Sequence, residues 1–92
     1  MIKSFVHKGL ERFYHTGSKA GIQPRHAGKL RRILGRLDVA ACPDDMELPG
    51  FRLHELKGSR KVTWAVTVQA NWRVSFHVVK QDVELVNYED YH

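Results

Sequence analysis

The chain has 92 residues, with fifteen Lys or Arg against ten Asp or Glu for a net charge of +5, and its length fits one domain, residues 1–92, that buries somewhat more than about 60% of its unfolded surface around a single core. No apolar run nears the roughly 18 residues that span a bilayer, and the opening Met1-Ile2-Lys3-Ser4-Phe5-Val6-His7-Lys8 lacks the hydrophobic block and cleavage site of a signal peptide. Cys42 is the lone cysteine and the histidines are scattered, which gives neither an internal disulfide nor a zinc pattern; a cytoplasmic protein without membrane partner, metal or cofactor is expected.

Ile2 to Phe5 reads as a short first strand. Lys8 to His15 places Leu10, Phe13 and Tyr14 at helical spacing, and Gly17 is positioned to end that helix. Ser18 to Gln23 is a loop, and Pro24 stands where a helix accepts a first-turn proline. The second helix carries an apolar stripe of Ala27, Leu30, Leu34, Leu37 and Ala41, widened by Ile33. Cys42-Pro43-Asp44-Asp45 closes it and Leu48-Pro49-Gly50 makes a turn. From there the pattern becomes β. Phe51 to His54 reads as a short strand and Lys57 to Arg60 as a loop. Val62, Trp64, Val66 and Val68 then share one strand face, with Thr63 and Thr67 on the other. Past a turn at Gln69-Ala70-Asn71, the apolar Trp72, Val74, Phe76 and Val78 alternate with Arg73, Ser75 and His77. Lys80-Gln81-Asp82 turns into a last strand around Val83-Glu84-Leu85-Val86. The order β-α-α-β-β-β-β, with two helices covering one face of a small, mainly antiparallel sheet, makes an α+β domain. The other face of such a sheet can remain open to solvent.

Charge is divided unevenly along this outline. Through Arg36 there are nine Lys or Arg and a single acid, Glu11; beyond it, six basic residues meet nine acidic ones. On the second helix Arg25, Arg32 and Arg36, with Lys29 beside them, fall opposite the apolar stripe. This ridge is either a solvated face or a docking surface for phosphates or carboxylates.

The open face and its rims gather a second group. Arg73 points off the middle of the meander, and His54 and Lys57 lie at the end of the preceding short strand. Asp90, Tyr91 and His92 follow the last strand, which should neighbour the strand of Arg73. Imidazoles, an ammonium, a guanidinium, a carboxylate and a phenol suit metal-free RNA cleavage. A base removes the 2′-OH proton, an acid protonates the leaving 5′ oxygen, and cations hold the charge on the phosphate. Each residue also has a structural reading. His54 fits an ordinary surface histidine, Lys57 turn chemistry before Gly58, and Arg73 a salt bridge to Glu84 or Asp90; Tyr91 fits an edge cover and His77 a satisfied mid-sheet group.

Four segments tip this balance: Met1-Ile2-Lys3-Ser4-Phe5, Leu53-His54-Glu55-Leu56-Lys57-Gly58, Ala70-Asn71-Trp72-Arg73 and Asn87-Tyr88-Glu89-Asp90-Tyr91-His92. In order and spacing they resemble the HigB-type toxins of the RelE superfamily, the ribonuclease halves of bacterial type II toxin–antitoxin pairs. The resemblance implies a RelE-like fold and an enzyme that enters the ribosomal A site and cuts messenger RNA without a metal, halting translation. It implies that His92 is the acid–base group, Arg73 the phosphate clamp and Lys57 a transition-state stabiliser. His54 would position the phosphate or share proton transfer, Tyr91 would stack on a base, and Asp90 would orient its neighbours. It also implies a HigA-like helix-turn-helix antitoxin, through which alone the protein would meet operator DNA. Docking on ribosomal RNA would fall to Arg25, Lys29, Arg32 and Arg36. Two other readings stay open: a non-enzymatic ParE-like gyrase poison on the same fold, and a plain binding module using the basic helix.

Overall fold

The computed structural model of the chain describes residues 1–58 and 62–91; the later part of the predicted 57–60 loop and His92 lie outside them. Helix α1 spans Lys8–Thr16, close to the predicted range. Its N-cap is His7, whose Nδ1 accepts the Leu10 amide at 2.9 Å. Gly17 ends it in the left-handed region at φ 79°, and its N–H bonds the Phe13 carbonyl. The loop after α1 lies hard against the helix, because a Cβ on Gly9 would overlap the Gly21 carbonyl.

A 3-10 turn, Pro24–His26, leads into α2, Ala27–Val39. The apolar stripe is the core face: Ala27, Leu30, Ile33, Leu34 and Leu37 are buried, while Arg25, Arg32 and Arg36 are exposed. The helix stops short of Ala41. Ala40 turns extended, and the Asp45 carboxylate takes the Ala41 amide at 2.9 Å, which draws the chain out of the helix.

Four antiparallel strands follow in spatial order β1-β2-β3-β4: His54–Leu56, Thr63–Gln69, Trp72–Val79 and Asp82–Asp90. Trp64, Val66, Val68, Trp72, Val74, Phe76, Val83, Val86 and Tyr88 pack towards the helices in one cluster with Leu10, Leu30 and Leu37. No helix among the described residues is long and apolar enough to cross a membrane.

Three strand expectations need correction. The strand predicted at Phe51–His54 begins only at His54, because Arg52 sits at φ 53° and kinks the chain; Phe51 still pairs beyond the kink, its carbonyl accepting the Thr67 amide at 2.7 Å. Val62 is exposed and lies outside β2. The first strand is reduced to two parallel bridges, Ile2 with Val83 and Phe5 with Val86. Between them Leu85 bulges out of β4 at φ 55°, and its amide bonds the Ser4 hydroxyl at 2.9 Å, which interrupts a regular ladder.

Candidate active site

Strand register arranges the face away from the helices in rows. One row is Thr67, Arg73 and Glu89; the next is His54, Ala65, Ser75 and Asn87. A third sets His77 against Glu84 and bonds its Nε2 to the Thr63 hydroxyl at 3.2 Å. Ala65 and Ser75 are small and buried, so the larger polar groups stand around a low centre.

Arg73 is the most constrained of these groups, with only 16% of its side chain exposed. Its Nε donates to Glu89 Oε1 at 3.1 Å, and its guanidinium carbon lies 4.0 Å from the centre of the Tyr91 ring. Tyr91 is placed by its own amide, which bonds the Asn71 carbonyl at 2.8 Å across the β3–β4 edge. The bond to Glu89 engages the inner nitrogen of the fork, so the terminal pair is the part offered to an anion. The partner of Arg73 is thus neither Glu84 nor Asp90, the two acids weighed from the sequence.

His54 sits on the exposed β1 edge with Nδ1 2.8 Å from the Arg52 carbonyl. A carbonyl only accepts, so Nδ1 carries the hydrogen and, in the neutral ring, Nε2 holds the free lone pair. Lys57 is exposed in the turn after β1. His54 and Arg73 share the face from strands two apart, roughly 12 Å from backbone to backbone at ordinary strand spacing. That gap leaves room for a phosphodiester between them.

Asp90 is placed differently. It pairs with Trp72, one position out of step with Arg73, so its side chain leaves β4 on the other side. There its charge adds to the burial that holds the Tyr88 phenol above its ordinary range.

The second-helix ridge is also partly committed. Arg25 Nε bonds Gln69 Oε1 at 3.2 Å, and Lys29 Nζ donates to the Gly50 carbonyl at 2.7 Å. Burial pulls the Lys29 ammonium below its usual range, helped by Arg32 and Arg52. Of the predicted four, Arg25, Arg32 and Arg36 are exposed and Lys29 is half-buried.

A residue the sequence reading passed over, His26, braces the rim beside the tail. It is 2% exposed, with Nδ1 2.7 Å from the Tyr88 hydroxyl and Nε2 3.0 Å from Gln69 Oε1. The amide oxygen accepts from Nε2–H, so Nδ1 accepts the Tyr88 proton. The Tyr88 oxygen in turn takes the Gln23 amide at 3.3 Å. Tyr88 stacks on Trp72 with centroids 4.6 Å apart. His26 continues the Leu30, Ile33, Leu37 stripe by one turn, and that spacing was the available signal.

These features define a class: a basic RelE-like α+β domain whose open sheet face carries a held guanidinium, an available imidazole and an aromatic C-terminal tail. The chain belongs to the HigB-like toxin family, whose description reads RelE-like toxin of type II toxin-antitoxin system HigB; the family model matches residues 3–92. It is also 38% identical, over 92 residues and the whole of both chains, to a Proteus vulgaris protein named endoribonuclease HigB. The resemblance carried by the four sequence segments is borne out.

Proposed function

We propose that this protein is a ribosome-dependent messenger-RNA endonuclease, the toxin of a type II pair, cutting on the open face of the sheet. The observation that carries the reading is Arg73, held by Glu89 and Tyr91 and facing the same side as His54 with its free Nε2. Arg73 grips the non-bridging oxygens of the scissile phosphate through its terminal nitrogens. His54 Nε2 takes the 2′-OH proton as that oxygen attacks phosphorus. The bond to the 5′ oxygen breaks, and an imidazolium returns a proton to it, a role the family resemblance gives to His92. Lys57 adds positive charge as the phosphate oxygens become more negative. One face of the Tyr91 ring is taken by Arg73, and the other stacks on a base. Asp90 serves the rim through Tyr88 and Trp72. Proton transfer contributes about 10²–10⁴-fold and a preorganised cation about 10²–10³-fold, so the side chains supply the chemistry without a metal.

The partners in this reading are the ribosomal A site and its message, with Arg32 and Arg36, flanked by Arg25 and Lys29, against ribosomal RNA. A HigA-like helix-turn-helix antitoxin completes the system. Mapping cleavage ends on a translated message with purified ribosomes tests it. Arg73→Ala and His92→Ala should both lose cleavage; retained cleavage in both overturns the reading. Growth arrest that survives His92→Ala together with a supercoiling defect would instead mark a gyrase poison.

A further inference from the structure

The outer side of α2 is hollowed. A cavity of about 520 Å³ is rimmed by Arg31, Arg32 and Arg36 and floored by Leu48, Pro49 and Phe51, with Gly35 at its edge. A second hollow of about 320 Å³ shares Arg31 and Gly35 with the first. Together they form one groove with Gly35 as the saddle. Its far wall is fixed in advance, because Lys29 ties the Gly50 carbonyl to the helix and lies 5.8 Å from the Phe51 ring centre. Among the described residues, no acid lines either hollow.

Gly35 is unexplained by the fold itself. A Cβ there would meet nothing within 4 Å, yet a glycine inside a helix is less stable than alanine by roughly 0.5–1 kcal/mol. What the missing side chain does provide is an open saddle, where another backbone can come close.

We propose that this groove receives an acidic, amphipathic segment of a partner protein. Three guanidiniums rim the groove, and the Asp45 carboxylate stands near Arg36 outside its lining. The excess of positive charge calls for anions, and arginine pairs carboxylates through its fork. The apolar floor calls for aliphatic side chains between those anions, as when an amphipathic helix lies in a groove. RNA brings phosphates but no aliphatic anchors, so the floor favours protein. The docking claim rests on the groove alone and not on the cleavage reading. α2 covers the opposite face of the sheet from Arg73 and His54, so the docked segment leaves that face uncovered while occupying Arg32 and Arg36.

The test uses the full chain and a fluorescent helical peptide of about 20 residues, with leucines along one face and glutamates on the other. Saturable binding that weakens with salt is expected. Gly35→Leu fills the saddle and should weaken binding about tenfold or more without lowering the melting temperature, while Arg73→Ala on the far face should leave peptide affinity unchanged. Three results would overturn the proposal: no saturable binding, affinity indifferent to Gly35→Leu, or equal binding of a peptide with lysine in place of glutamate. Displacement of the peptide by an equal concentration of single-stranded RNA, with RNA binding also lost in Gly35→Leu, would make the groove a nucleic-acid surface instead. Because no cleavage is measured, this test fails or succeeds separately from the nuclease assay.

Discussion

His26 and His54 lie on opposite sides of the same sheet and differ in what their nitrogens meet. His26 is closed on both, between the Tyr88 hydroxyl and the Gln69 amide, and is sealed under Trp72. His54 is closed on one nitrogen, by the Arg52 carbonyl, and exposed at the other. The same division separates the arginines. Arg25 spends its Nε on Gln69 at the rim of the His26 network, whereas Arg73 spends its Nε on Glu89 within the open-face row. A polar group whose partners are all internal holds shape. One that is oriented by a single internal partner, with another atom turned outward, is ready to meet a ligand.

The sharpest break in that comparison is on the open side. Arg73→Ala should reduce cleavage by about 10²–10³-fold with a small change in melting temperature. A thermal melt beside the cleavage assay checks both. On the closed side the effects should reverse. His26→Ala leaves the Tyr88 hydroxyl and the Gln69 amide without their buried partner, so a loss of about 2–4 kcal/mol is expected. For a domain of this size that is a fall in melting temperature on the order of 10 °C or more. Below its melting point the variant should still cut RNA. A His26→Ala protein with normal stability and no cleavage would erase the distinction.

Glu89 sharpens the comparison further, and it shows where the sequence stopped being readable. Alternation alone made the helix-side residues of β2 and β3 legible: Trp64, Val66, Val68, Trp72, Val74, Phe76 and Val78 all face the core as expected. Counting by twos from Val83 along β4 puts Asp90, not Glu89, on the side of Arg73. The bulge at Leu85 adds one residue to β4 between Glu84 and Asn87, opposite Ser75 to His77, and exchanges the two acids. Nothing in Glu84-Leu85-Val86 announces a left-handed leucine; what stabilises it is Ser4, eighty-one positions away in sequence. The kink at Arg52 is similar, since its support comes from Phe51 pairing with Thr67. The family was legible in four short segments, and it is from that likeness that the candidate site residues are proposed, while the orientation of Arg73 and its neighbours depends on long-range bonds. Glu89→Ala should therefore loosen Arg73 and lower kcat/KM about tenfold, mostly through KM. Glu89→Gln keeps an acceptor for Nε and should recover most of that loss. Equal damage from both substitutions would point to the charge of Glu89, not to its hold on Arg73.

The smallest expected effect concerns His7, a third imidazole that is partnered on one side yet belongs with the structural group. Its Nδ1 caps α1 by accepting from Leu10, and burial beside the Tyr88 ring lowers its pKa from 6.5. The unfolded chain, with its ordinary pKa, takes up a proton first as pH falls. Stability from the neutral cap is therefore fully present above pH 6.5 and is lost as pH drops below it towards the folded-state value. Protonation also sets an N–H against the Leu10 amide and a positive charge at a helix N-terminus, both unfavourable. Urea unfolding at about pH 7.5 and about pH 5.5 should show the wild type losing up to about 1 kcal/mol more than His7→Asn, whose amide caps without titrating. Identical pH dependence in the two proteins would mean that the His7 cap contributes nothing measurable, and that the acid sensitivity of the fold resides elsewhere.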